Sequence, residues 1–139
     1  MDIQFYGAAK VVTGSNFLIK TDKYKILLDC GMFQGSQELE RKNAENFPYN
    51  PEEIDYLILS HAHIDHSGRI PKLTKEGFRG KIISTKATYD LCTIMLLDSA
   101  KIQEADVKWE NRKRQRAGRP PLEPLYTSAE AEVSLKYFE

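Results

Sequence analysis

Three histidines and an aspartate fall within six residues, His61-Ala62-His63-Ile64-Asp65-His66, and they include every histidine of the chain. Imidazole nitrogen with carboxylate oxygen is a borderline ligand set that favours zinc, with manganese or iron as alternatives. His61 and His63 stand two apart, so in an extended loop their rings point the same way and close on one ion. Asp65 and His66 are adjacent at a helix start, where diverging side chains suit a second ion close to the first. Two neighbouring ions lower the pKa of a bridging water and clamp both oxygens of a displacement, which suits hydrolysis of an ester, amide or phosphodiester. The alternative, core histidines satisfied by hydrogen bonds, fits an isolated residue better than this spacing. A further carboxylate, Asp29, ends an apolar run before a glycine loop. It is a candidate direct ligand, a turn cap or, preferred here, an acceptor that orients the histidine loop.

The strand Ile54-Asp55-Tyr56-Leu57-Ile58-Leu59-Ser60 precedes the cluster, and Ser67-Gly68-Arg69-Ile70-Pro71 opens a helix after it. The cluster thus lies at a strand's C-terminal end, where open α/β sheets hold ligands. Upstream, Ile3 to Gly7 reads as a strand. Ser15 to Lys20 and Tyr24 to Asp29 read as a hairpin around Thr21-Asp22-Lys23. A short helix over Gln37 to Asn46, capped by Ser36, leads to the extended Pro48-Tyr49-Asn50-Pro51. Downstream, a helix from Arg69 to Lys75 ends at Gly77, and Lys81 to Thr85 is a strand, so a βαβ step gives the sheet parallel character. Lys86 to about Lys113 is the longest helix; the spacing of Leu91, Ile94, Met95, Asp98, Ile102 and Ala105 predicts its core face, and Leu96, Leu97 and Ala100 widen the apolar surface beyond a single stripe. A last helix runs from Ser128, its cap, to Phe138.

The 139 residues suffice for one domain with a modest core, or a piece of a larger one. Twenty Lys and Arg balance twenty Asp and Glu, which excludes a wholesale basic nucleic-acid coat. Local charge is another matter: Lys108 to Arg119 holds Lys108, Arg112, Lys113, Arg114, Arg116 and Arg119 against Glu110 alone, a solvated face or a phosphate contact. Trp109 beside it is expected to anchor the helix to its neighbours, with stacking on a base as the alternative. Cys30 and Cys92 sit in apolar settings and read as buried thiols of a reducing compartment. No segment reads as a membrane span or leader, so the expected location is the cytoplasm.

The stretch His61-Ala62-His63-Ile64-Asp65-His66 resembles the HxHxDH signature of the metallo-β-lactamase superfamily, and Leu28-Asp29-Cys30-Gly31 resembles its upstream aspartate motif. The stretches Gly7-Ala8-Ala9-Lys10-Val11-Val12-Thr13-Gly14-Ser15-Asn16-Phe17-Leu18 and Asp29-Cys30-Gly31-Met32-Phe33-Gln34-Gly35 resemble the β-CASP branch, the RNA-processing nucleases related to the cleavage and polyadenylation endonuclease. The resemblance covers essentially the whole chain. It implies an α/β fold, the N-terminal half of an αββα sandwich with a mixed sheet and flanking helices. It also implies two zinc ions and hydrolysis of RNA phosphodiesters. By position His61 and His63 would ligate the first zinc and Asp65 and His66 the second. Asp65 would also handle a proton in catalysis, and Asp29 would support the loop.

The family completes its site with later histidines and an aspartate, and no histidine follows His66. Residues 1–139 are therefore expected to be a partial metallo-β-lactamase domain, lacking the downstream ligand motifs and the β-CASP insertion and inactive alone. Half a sandwich also leaves an apolar sheet face uncovered, from which self-association is expected. Two alternatives are a thioester or lactam hydrolase of the same superfamily and a non-catalytic scaffold subunit; intact motif positions argue against the second.

Overall fold

A computed structural model describes residues Met1–Glu139. Strands β1 (Asp2–Phe5), β2 (Phe17–Lys20), β3 (Lys25–Leu28), β4 (Tyr56–Ile58) and β5 (Lys81–Ile83) form one sheet in sequence order. β1 to β3 are antiparallel, whereas β3–β4 and β4–β5 are parallel. The hairpin and the βαβ step are both present, and the fold is mixed α/β. Helices α1 (Gln37–Arg41), α2 (Ile64–Ser67), α3 (Ile70–Lys75), α4 (Lys86–Arg116) and α5 (Ser128–Leu135) complete it.

The register divides the sheet into two unlike faces, because side chains alternate along each strand. Leu18, Leu27, Leu57 and Ile82 are cross-strand neighbours, all buried. They join Ile70 and Leu73 of α3 and Cys92 and Leu96 of α4 in one core cluster, against which Leu135 of α5 packs. The opposite row, Phe5, Phe17, Leu28, Ile58 and Ile83, is also apolar and in register. Here Phe5 is 66% exposed, Ile58 41% and Ile83 43%. Helices cover one face of the sheet only.

α4 departs from the sequence expectation. Its buried stripe is Thr88, Cys92, Leu96 and Ala100, while Leu91, Ile94 and Ile102 of the predicted core face are exposed. Apolar residues surround much of this helix, so periodicity selects no single stripe. Small side chains at Thr88, Cys92 and Ala100 let α4 come close to its neighbours, and interaxial distance is set by the side chains at the contact. Trp109 does not anchor the helix either; it is exposed. α4 ends where Gly118 takes φ +69, the left-handed conformation that closes many helices.

Four other boundaries shift. The first helix stops at Arg41 and continues as a 3-10 turn, Lys42–Ala44, though Ser36 caps it as expected. The helix after β4 begins inside the histidine motif, at Ile64. Thr127, not Ser128, caps α5: its hydroxyl accepts from Glu130 N at 3.2 Å and Glu130 Oε1 accepts from Thr127 N at 3.0 Å. Ser128 instead donates to Glu104 of α4 from its backbone N and its hydroxyl, at 2.8 and 2.9 Å. Phe138 lies beyond the helix, in a parallel bridge to Ile82. Cys30 and Cys92 are free and buried, and burial pushes each thiol up to about 11. No helix is long and apolar enough to cross a membrane.

Candidate metal centre

The cluster follows β4 at the end of the sheet, and the loops before β2 and after β3 hold it by its backbone. Ser15 N donates to Asp65 O at 2.9 Å, Cys30 N to His66 O at 2.8 Å and Met32 N to Ile64 O at 2.9 Å. Arg69 N returns a bond to Cys30 O at 2.9 Å. The approach is close enough that a Cβ on Gly31 would lie 1.7 Å from Asp65 O, which explains a glycine there. Behind the cluster the buried Arg69 donates from Nε to Gly31 O and lies over the Phe33 and Phe47 rings, 4.9 and 5.2 Å from their centroids. Tyr126, fully buried, donates to Gly68 O at 2.7 Å and pairs with Ser99 Oγ at 3.0 Å, tying the histidine helix to α4; burial raises its phenol pKa.

Asp29 is the acceptor that organises the histidines. It takes φ +57, a left-handed conformation that costs a non-glycine residue about 1–2 kcal/mol and that aspartate tolerates better than most. Its side chain is 4% exposed. Oδ1 accepts from Ser60 N at 2.8 Å; Oδ2 accepts from Ser15 Oγ at 3.0 Å, Ser60 Oγ at 3.0 Å and His66 Nδ1 at 2.7 Å. The Ser60 hydroxyl has one proton and gives it to Asp29, so the 2.9 Å contact between Ser60 Oγ and His61 Nδ1 is donated by the imidazole. One buried carboxylate thus fixes the Nδ1–H tautomer of both His61 and His66, and both Nε2 lone pairs are left for a ligand. Sequence reasoning found Asp29 but missed Ser15 and Ser60. Adjacency of Ser60 to His61 was the only local signal.

The structure brings the four candidate ligands together without closing them on one point. The His61 ring centroid lies 4.8 Å from His63 and 4.0 Å from His66. No three His, Cys, Asp or Glu side chains are arranged to hold a single ion. His66 Nε2 faces Asp65 Oδ2 at 3.4 Å. Tetrahedral bonds of zinc-ligand length put neighbouring donors about 3.3–3.4 Å apart, so this pair has the spacing of two ligands of one zinc ion. The His63 ring is exposed and engaged only by the edge of His61.

A mixed sheet with helices on one face thus carries an imidazole–carboxylate cluster directly after a parallel strand. The model of the Metallo-beta-lactamase superfamily matches residues 9–136, and the chain belongs to that superfamily, whose members typically bind zinc. Among its relatives is Ribonuclease TTHA0252 of Thermus thermophilus, 46% identical over 104 residues, covering 75% of this chain and 24% of that protein. The Probable RNase MJ4 of Methanocaldococcus jannaschii is 41% identical over 108 residues, covering 78% of this chain and 24% of that protein. Cleavage and polyadenylation specificity factor 73 of Drosophila melanogaster is 31% identical over 144 residues, covering 100% of this chain and 18% of that protein. These are relatives of the RNA-processing kind, in line with the β-CASP resemblance of the motifs. The chain spans about a quarter or less of the length of each.

Proposed function

We propose that this chain carries one part of the two-zinc centre of a ribonuclease, and that ligands from outside residues 1–139 complete it. Two observations support the reading: the tautomer-fixed imidazoles of His61 and His66 beside Asp65, and relatives named for RNA cleavage. His61 and His63 would hold the first zinc, and Asp65 and His66 the second. Zinc bound there would supply Lewis acidity at neutral pH. Asp29 holds the His66 and His61 rings and does no chemistry itself, being sealed from solvent. Asp65, 26% exposed at the side chain, is the carboxylate of the cluster that a substrate proton can reach. Three histidines and one aspartate leave two ions under-liganded, so the chain alone binds zinc weakly and cleaves little.

The same reading accounts for the open row of Phe5, Phe17, Leu28, Ile58 and Ile83. In the intact protein a further layer covers it, and in this chain alone it drives self-association. Labelled RNA with added zinc tests the function, using this chain and the complete gene product, each beside its His63→Ala variant. The expected result is His63-dependent cleavage by the complete product and little by the chain. Absence of RNA cleavage by the complete product, or cleavage indifferent to His63, refutes the proposal.

A further inference from the structure

The distal part of α4 carries a surface that the metal centre does not use. At about 100° per residue, Lys108, Trp109, Arg112, Lys113 and Arg116 fall within about 140° of the helix circumference. All five are exposed. Trp109 is 58% exposed, and Lys113 Nζ lies 3.4 Å from its ring centroid, so a cation sits on one ring face. None of Lys108, Arg112, Lys113 or Arg116 forms an ion pair. Asp106 and Glu110 flank the face beyond Lys113 rather than interrupting it.

The other side of the same turns is locked. Asn111 Nδ2 donates to Leu122 O at 2.9 Å, Leu122 N donates to Asn111 Oδ1 at 2.7 Å, and Arg114 Nε donates to Pro120 O at 2.7 Å. The loop after the helix is pinned along its back, which leaves the basic face uncovered by it. Unpaired cations around one exposed indole match single-stranded nucleic acid: cations follow the phosphates while the ring stacks on a base. A duplex hides its base faces and suits this surface less well.

We infer that this face is a binding site for single-stranded RNA, separate from the metal centre. Trp109 lies about 26 Å along the helix from Cys92, whose thiol meets Ser67 of the histidine helix. The site therefore holds a strand at a distance from the place of cleavage. The inference rests on the ribonuclease reading above.

Trp109 is the chain's single tryptophan, so its fluorescence reports this face without a label. The chain is titrated at low salt with an oligouridylate of about 12 nucleotides, within the range of single-strand sites. Binding is followed in parallel by the anisotropy of an end-labelled copy. The expected result is saturable quenching that coincides with the anisotropy change. With four phosphate contacts, log K against log salt has a slope of about −2.8. Arg112→Gln with Arg116→Gln, both exposed and checked for unchanged helicity, weakens binding at least tenfold and makes the slope about 1.4 shallower. His63→Ala leaves the quenching intact. Anisotropy without quenching, or a double variant that binds normally, overturns the inference and leaves the ribonuclease reading standing. Equal quenching by duplex RNA or by phosphatidylserine vesicles overturns it too, as does no binding at all. The ribonuclease reading fails separately, on the cleavage assay of the complete gene product.

Discussion

Replacing Asp29 by asparagine keeps the shape of the side chain and removes its ability to accept on both oxygens. In the protein Oδ1 meets Ser60 N–H at 2.8 Å and Oδ2 meets His66 Nδ1–H at 2.7 Å. The Ser60 amide cannot turn away, so the asparagine oxygen stays opposite it and the new amide NH2 faces His66. His66 must then present a lone pair at Nδ1 and carry its proton on Nε2, the nitrogen that faces Asp65. The three charge-assisted bonds accepted by Oδ2, from Ser15, Ser60 and His66, are lost or reversed, a cost of about 4–5 kcal/mol at about 1.5 kcal/mol each. Zinc affinity falls about 10–100-fold, the usual penalty for removing the partner that orients a ligating histidine. Competition with a chromophoric chelator measures the affinity, and nitrogen-15 spectra of the imidazoles identify the tautomer directly. Ser15→Ala is the control: it deletes one donor to Asp29 without changing either histidine tautomer, and zinc affinity stays within about threefold of the parent chain. A folded Asp29→Asn protein that binds zinc as the parent does, with His66 still protonated at Nδ1, refutes the reasoning.

Gly31→Ala puts a methyl 1.7 Å from Asp65 O and 2.2 Å from its carbonyl carbon, so the histidine helix must move; a loss of about 3 kcal/mol is expected from urea midpoints. Thr127→Ala removes the capping box of α5 and costs about 1 kcal/mol at neutral pH. Burial raises the Glu130 pKa, but hydrogen bonds from Thr127 and the nearby Lys75 charge outweigh it, and the carboxyl titrates below 4.5. Its contribution is therefore complete above 4.5 and is lost as pH falls through the lowered folded value, so the gap between parent and Glu130→Gln narrows in acid. Ile58→Lys with Ile83→Lys places charges in the open sheet row and is expected to abolish the self-association of the parent chain in sedimentation velocity; a parent that stays monomeric at high concentration contradicts this reading.

The candidate cluster was legible in the sequence because its residues are contiguous: the strand before His61 and the helix start after it leave the loop few places to go. Asp29 was legible for a similar reason, as a carboxylate at the end of an apolar run before a glycine. Ser15 and Ser60 were not. Their roles exist only because the loop after β3 docks on the backbone of residues 64–66, and that contact depends on Gly31 and on Asp29 in a left-handed conformation. The buried stripe of α4 was hidden too, since its core positions are the small ones and its large apolar residues are exposed. The two-faced sheet could be anticipated in outline, but the two apolar rows follow only from the strand register.

We propose that His61, His63, Asp65 and His66 form an oxygen- and nitrogen-donating zinc site prepared by Asp29. Zinc-edge X-ray absorption on the chain loaded with one equivalent of zinc tests it most directly. The expected spectrum has nitrogen and oxygen neighbours at about 2.0–2.1 Å, with imidazole scattering that weakens in His63→Ala. A sulfur neighbour at about 2.3 Å, or a spectrum unchanged by His63→Ala, would contradict the account.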